Sequence, residues 1–207
     1  MKRKLVSSFV VFLCLFGFVT LHAAESTFDI KAGASKAKAP DKWGFDAALS
    51  YNYGVDRFLA LGLEPQFQWL NYDAVVGTTT DLNTGVTTNV VKKINVYSLP
   101  YLLSLRLRFP NESMIEPHLV VGAGYGWTWS VGDTTTQYSG LAWQVVGGAA
   151  IALGGGGEWG STSSIKILLE VGYRGYKPSK DSVEIDMSGL MTRVGIRFSF
   201  GGGGSNW

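Results

Sequence analysis

The side chains that most often carry chemistry are scarce in this chain. Cysteine occurs once, as Cys14, and histidine twice, as His22 and His118. A cysteine or serine nucleophile needs a base beside it, and a zinc or iron site needs several ligands of the right type. Cys14 and His22 both fall in the opening stretch MKRKLVSSFVVFLCLFGFVTLHAA, which has a basic start, an apolar middle and a small-residue end. That is the layout of a secretory signal peptide, with cleavage expected after Ala23 or Ala24. Its apolar run is too short for a spanning helix. Cys14 lies inside that run, and VFLC lacks the small residues that precede a lipidated cysteine. The mature chain is therefore expected to have no thiol, no metal site and no other cofactor, with His118 as its single imidazole.

Two glycine-rich stretches could cradle a phosphate. GAGYGW (122–127) and GGGG (154–157) both present clustered glycines, but neither is followed by Lys-Ser or Lys-Thr or by a helical pattern, as a phosphate loop requires. In GAGYG the glycines recur at every second residue, so all three share one face of a strand, where they make room. His118 alone, without a positioned nucleophile, is expected to be structural.

Charge excludes another class. Removing Lys2, Arg3 and Lys4 from 18 basic residues leaves 15 against 16 acidic ones, so the formal balance moves from +2 to −1. The pI of 8.6 thus owes its basic value to the leader, and no nucleic-acid partner is expected.

What remains is carboxylate, guanidinium and ammonium chemistry, and its placement depends on the strands that carry it. No apolar run after residue 24 is long enough for a membrane helix, and helical periodicity is absent. Alternation with period two recurs instead. Eight strands are expected, at 26–34, 43–55, 58–70, 94–109, 114–129, 141–153, 165–176 and 187–200. In EPHLVVGAGYGWTW the odd positions run Pro117, Leu119, Val121, Ala123, Tyr125, Trp127 and Trp129, while the even ones are small or polar. WGFDAALSYNYGV (43–55) and INVYSLPYLLSLRLRF (94–109) alternate as cleanly. The links GVDR and PNES read as tight turns. SKAKAPDK, the Thr-rich segment 71–93, SVGDTTTQYSG and KPSKDSVEID read as longer polar loops. GGGGEWGSTSS (154–164) is long where a short turn is expected, and GGGGSNW (201–207) reads as a tail.

The ionisable residues within these spans are Asp29, Lys31, Asp46, Glu64, Arg106, Arg108, Glu116, Lys166, Glu170, Arg174, Arg193 and Arg197. All lie on the parity opposite the apolar one. A soluble lipocalin-like barrel would alternate too, with its apolar face inward. Two features favour lipid on the apolar side. Aromatics gather near the strand ends of that parity, with Trp43, Trp69, Tyr97, Trp127, Trp129 and Trp143 on one side and Tyr53, Phe109, Phe198 and Phe200 on the other, as in a membrane girdle. The charged parity is also glycine-rich, which a solvated outer face does not need. The expected fold is all-β: an eight-stranded antiparallel up-and-down transmembrane β-barrel over 25–200, preceded by the signal peptide 1–24 and followed by the tail.

The pattern resembles the small eight-stranded outer-membrane barrels of the OmpA, OmpX and OmpW group. IEPHLVVGAGYGWTW resembles their Pro-aromatic-x-Gly-x-Gly strand, with His118 in the aromatic place. INVYSLPYLLSLRLRF is similar to an OmpW-type strand, and VGIRFSF to the terminal strand read by the barrel-assembly machinery. The resemblance implies an outer-membrane location in a diderm bacterium, a periplasmic N-terminus, extracellular long loops, and outer-membrane lipid and the assembly machinery as partners. Some small outer-membrane barrels are lipid A acyltransferases or deacylases with a histidine near the outer surface. His118 matches in type but is near the periplasmic end, so no enzyme and no catalytic residue is expected.

With that orientation, Arg106, Arg108, Glu116, His118, Lys166 and Arg197 fall in the periplasmic half of the lumen, and Glu64, Glu170 and Arg193 near mid-height. These charges are expected to form a plug, with Arg193 bridging Glu64 and Glu170. Above it, Val96, Ser98, Gly122, Gly124, Gly126 and Gln144 form a candidate pocket unless Arg174, Tyr176 and Met191 fill it. The expected function is a narrow channel or binding barrel for small hydrophobic molecules. The alternative is a structural or surface-interaction barrel acting through its loops, 71–93 above all.

Overall fold

A computed structural model describes residues 25–80, 87–110, 113–132, 134–153 and 163–200. The expected signal peptide, the tail and most of the glycine-rich segment 154–164 lie outside these residues. Eight long strands form the wall: β1 (Ser26–Ala37), β2 (Lys42–Gly54), β3 (Leu59–Thr80), β4 (Thr87–Arg108), β5 (Ile115–Val131), β6 (Thr135–Ala152), β7 (Ser163–Tyr176) and β10 (Gly189–Phe200). Two short strands, β8 (Ser179–Lys180) and β9 (Val183–Glu184), lie in the connection before β10.

Each long strand pairs antiparallel with its neighbours in sequence, and β1 pairs with β10 from Ser26↔Phe200 to Ser35↔Met191. The sheet is thereby closed into an eight-stranded up-and-down barrel without free lateral edges.

Burial decides which face meets lipid. Asp29, Lys31, Asp46, Glu64, Arg106, Arg193 and Arg197 are each at most 2% exposed, whereas Leu103 is 66% and Leu141 77% exposed. A lipocalin-like barrel would show the reverse. Leaving a leucine side chain in water forgoes roughly 1.5–3 kcal/mol relative to burial, and the outward parity repeats that exposure on every wall strand. A surrounding hydrocarbon phase removes the penalty. Among the described residues no helix is long and apolar enough to cross a membrane; the crossing is made by strands.

Several connections differ from the sequence expectation. The segment 71–93 is no open loop: β3 runs on to Thr80 and β4 resumes at Thr87, paired from Asn71↔Asn95 to Thr80↔Thr87 with a bulge between Val75 and Gly77. Valines and threonines suit an extended ladder even when both faces are wet, so polarity alone misread them. The same effect lengthens β5 to Val131 and β6 back to Thr135. β1 and β2 also extend, leaving a turn in which Asp41 takes a left-handed backbone (φ 57°) and pairs with Lys36 at 2.7 Å. On the other side the turn after β2 is tight: Asp56 Oδ1 accepts from the backbone N–H of Phe58 (2.6 Å) and Leu59 (2.7 Å).

One glycine shows how the outer wall is packed. Gly175 is on the outward parity, and a Cβ built there would run into the Trp143 indole. Trp143 lies across the bare backbone and packs against Tyr173 with centroids 5.7 Å apart. Gly175→Val should expel the indole and lose an aromatic pair worth about 0.5–1.5 kcal/mol. The check is equilibrium unfolding in lipid, with Gly147→Ala as control, since a Cβ at Gly147 meets nothing within 4 Å.

Candidate functional site

The wall encloses three tiers of side chains. At the end that carries the tight turns, Arg108 Nη1 donates to Glu25 at 2.7 Å and Lys166 Nζ to Glu116 at 2.7 Å. Above them Asp29 gathers two guanidinium groups: Arg106 Nη2 lies 2.6 Å from Oδ2 and Arg197 Nε 3.0 Å from Oδ1. Arg197 also reaches to within 3.7 Å of Glu116. The ladder explains part of this, because Asp29 stands directly across from Arg197 on β10.

The middle tier is a chain of alternating charges. Lys31 Nζ lies 2.7 Å from Glu64 and 3.2 Å from Glu170. Glu64 also takes Arg193 Nη1 at 3.0 Å. Arg193 Nε pairs with Asp46, and Arg174 Nη2 donates to the other Asp46 oxygen at 2.6 Å. Gln66 and Gln144 close the tier: Gln66 Nε2 and Gln144 Nε2 both donate to Glu64, at 2.7 and 3.0 Å, and Arg174 Nη1 donates to Gln66 at 2.7 Å. His118 Nε2 lies 3.3 Å from Glu170.

These contacts correct the expected plug. Arg193 does not bridge Glu64 and Glu170; it bridges Glu64 and Asp46, and the cation between the two glutamates is Lys31. Glu170 faces Arg193 across the β7–β10 ladder, but the narrow lumen lets each long side chain choose a partner from a strand it does not neighbour. His118 pairs with Glu170, and neither with Glu116 nor with an arginine. Lys31, Asp29, Asp46, Arg174 and Gln66 were not assigned to the network. The first four could have been found from their inward parity; Gln66 shares that parity but carries no charge.

The upper tier is apolar. Ala37, Leu70, Val96, Leu102, Ala142, Tyr176 and Met187 form one buried cluster, with Tyr72, Ile94 and Ile185 packed against it. The expected pocket is therefore filled. Val96 belongs to this cluster. Ser98 hydrogen-bonds Thr128 at 2.8 Å, and Thr128 bonds the Tyr176 hydroxyl at 2.9 Å. A Cβ at Gly126 would stand 2.9 Å from that hydroxyl, and one at Gly122 would meet Gln144 at 3.4 Å. At Gly124 a Cβ would collide with the Tyr101 carbonyl. Gln144 belongs to the charged tier. Of the expected fillers, Tyr176 occupies the upper tier, Arg174 the middle one, and Met191 packs with Val120 and Val146.

The connection 177–188 is a strap over the mouth. β8 and β9 pair as a small hairpin, and Ser179 pairs with Ser139 of β6. Lys38 N–H donates to Ser188 O at 2.8 Å and Ala39 N–H to Asp186 O at 3.0 Å, tying the strap to the β1–β2 turn. Lys177 lies 3.3 Å from Glu184 and 3.7 Å from Asp186. Burial works against ionising Asp186, but bonds from Ser188 and the charges of Lys177 and Lys38 outweigh it and hold its carboxyl below the ordinary value.

Outside the lumen the most prominent feature is the β3–β4 ribbon. Each strand has 22 residues, about twice the 9–11 that cross a bilayer. The last recorded pairing of β3 with β2 is at Trp69, and of β4 with β5 at Asn95. Beyond these residues β3 and β4 pair with each other, Leu70, Tyr72 and Ile94 still reach the upper tier, and farther out Val75, Val90 and Val91 are exposed. Among the described residues no group of three His, Cys, Asp or Glu side chains could hold a metal ion.

No protein-family profile matches this chain, and no curated protein matches it either. Solved structures do. Neisserial surface protein A superimposes with a TM-score of 0.56 at 12% identity, over 84% of this chain and 96% of that one. The N-terminal β-barrel domain of OprF from Pseudomonas aeruginosa gives 0.46 at 10% identity, over 84% and 97%. Ail of Yersinia pestis, crystallised with the heparin analogue sucrose octasulfate, gives 0.46 at 15%, over 85% and 98%. At such identities the likeness to the Neisserial protein establishes a shared fold, that of the small eight-stranded outer-membrane barrels.

Proposed function

We propose that this chain is an outer-membrane barrel of a diderm bacterium, with its N-terminus in the periplasm, that acts at the cell surface through the β3–β4 ribbon. The observation that carries this reading is the ribbon itself: two strands continue far past their last neighbours and stay paired to Thr80↔Thr87, presenting β-branched side chains to the outside. A lumen crossed by a tier of paired charges and an apolar tier speaks against steady conduction. A wall that rigid suits a platform for a projecting element.

The second reading is the OmpW-like one, a barrel for small hydrophobic molecules. The apolar upper tier favours it, because a solute replacing Tyr176 and Met187 would meet Leu70, Val96 and Leu102. It requires the strap to move.

One experiment separates the two. A variant with residues 75–91 replaced by a two-residue turn should still refold, seen as heat-modifiable migration on gels. Cells carrying it should lose adhesion to films of extracellular-matrix protein, while the unaltered barrel supports adhesion and leaves planar bilayers at baseline conductance. Steady conductance, or uptake of a small hydrophobic dye into proteoliposomes that is unchanged by the excision, would favour the solute reading.

A further inference from the structure

The outward face at the root of the ribbon changes chemistry in ordered rows. Along β3 the outward residues run Leu61, Leu63, Pro65, Phe67, Trp69, Asn71 and Asp73; along β4 they run Leu107 to Leu103, then Tyr101, Leu99, Tyr97, Asn95 and Lys93. The ladder aligns them. Phe45, Trp69, Tyr97 and Trp129 form one continuous row across β2, β3, β4 and β5. Directly above stand the paired amides Asn71↔Asn95, and above those Asp73↔Lys93. Aliphatic, aromatic, amide and ion thus follow one another with height.

That order fits a membrane boundary. The aromatic row marks the interface between hydrocarbon and headgroups. The amide and ion rows share its outward parity, so they face what lies above the acyl chains, the headgroup layer. Two donors converge on one oxygen there: Trp69 Nε1 donates to Asn95 Oδ1 at 3.3 Å and Asn71 Nδ2 to the same atom at 2.8 Å. The Asn95 amide N–H groups and the Asn71 carbonyl stay available, offering donor and acceptor side by side. A phosphate group offers acceptors alone, and the glycerol head of phosphatidylglycerol adds hydroxyls but no ring. A sugar hydroxyl is both, and a sugar can also rest its C–H face on the aromatic row below. Lys93 adds a cation at phosphate height.

We propose that this face is a binding site for the phosphorylated sugar headgroup of an outer-leaflet glycolipid, with Asn71 and Asn95 reading hydroxyls and Lys93 the phosphate. The proposal rests on the orientation given above, with the ribbon outward. It is separate from the ribbon's adhesive role, because the site belongs to its root.

The test uses the full-length barrel in phosphatidylcholine nanodiscs doped with either lipopolysaccharide or phosphatidylglycerol. Lipid retained on release is counted by native mass spectrometry. The unaltered protein should retain lipopolysaccharide in preference to phosphatidylglycerol. Asn71→Leu with Asn95→Leu should cut that retention about tenfold, the equivalent of losing two or so neutral hydrogen bonds, with heat-modifiable migration unchanged. Lys93→Gln should abolish the preference for phosphorylated over dephosphorylated glycolipid and leave the remaining binding intact. Equal retention of the two lipids, or retention unaffected by the double leucine variant, overturns the proposal. Competition by free delipidated core sugar as strong as by the intact glycolipid also overturns it, in favour of a site for soluble glycans. Protease added to intact cells reports on the orientation independently: cleavage within 73–93 upholds it whatever the lipid result.

Discussion

Replacing Lys31 with methionine is expected to destabilise the barrel by about 3–5 kcal/mol, the cost of leaving a buried charge without its partner. Lys31 is the cation between two glutamates, 2.7 Å from Glu64 and 3.2 Å from Glu170. Glu64 would keep Arg193 at 3.0 Å and the amides of Gln66 and Gln144. Among the described residues, Glu170 would keep only His118 as a side-chain partner. Two carboxylates would then share a buried site with no cation between them. Arg193→Ala should cost less, although it removes the larger side chain. Each of its carboxylates has a second cation in contact, Arg174 for Asp46 and Lys31 for Glu64. The double variant Lys31→Met with Glu170→Gln should recover most of the loss, since the second change removes the stranded charge. Urea unfolding in lipid vesicles, followed by tryptophan fluorescence, gives the ranking. If Arg193→Ala proves as costly as Lys31→Met, the middle tier is not organised around the lysine.

That ranking could not be read from the sequence, and the reason is geometric. Parity says which side chains enter the lumen, because alternation is a local property of each strand. Inward Asp29, Lys31 and Asp46 were visible in that way. Partnership across the lumen depends on the stagger of the whole barrel, to which every turn and ladder contributes. Lys31 of β1 and Glu64 of β3 are separated by a strand, and neither position contains any trace of the other. A bridge drawn from estimated height alone chose Arg193 for Glu170, and the side chains chose otherwise.

The outer ends were misread for a different cause. Segment 71–93 is polar, and polarity alone reads as a loop. The runs of valine and threonine there also suit a ladder, and that signal is available in the sequence. Gly77, the one breaker among residues 71–80, marks the bulge. In KPSKDSVEID and the residues after it, Ile185 and Met187 stand two apart in a polar stretch. That spacing fits side chains that turn into the mouth, where both meet the apolar tier. Closure of the lumen above Gly122, Gly124 and Gly126 follows from the same strap and from Tyr176. Glycines on one face leave space that Gln144 of β6 fills beside Gly122 and Tyr176 of β7 fills beside Gly126.

The largest loss is expected on replacing Asp29 with leucine. Asp29 is fully buried and holds Arg106 at 2.6 Å and Arg197 at 3.0 Å, with the Ser50 hydroxyl donating to it at 3.1 Å. Without it two guanidinium groups face each other at the lower tier. Arg197 retains Glu116, but only at 3.7 Å. The cost belongs at or above the upper end of about 3–5 kcal/mol, because two charges are stranded. It also differs in kind from the Lys31 case. A stranded carboxylate can take up a proton and lose its charge as pH falls, whereas arginine stays charged at every accessible pH. The deficit of Lys31→Met relative to the unaltered protein should therefore shrink toward acid pH, and that of Asp29→Leu should not. Adding Arg106→Met and Arg197→Met to Asp29→Leu removes the stranded charges and should restore much of the stability at neutral pH. Unfolding of both single variants and the triple variant at neutral and acid pH tests this. A small deficit for Asp29→Leu at neutral pH that grows on acidification would mean that the two arginines find another carboxylate and that Asp29 does not organise the tier.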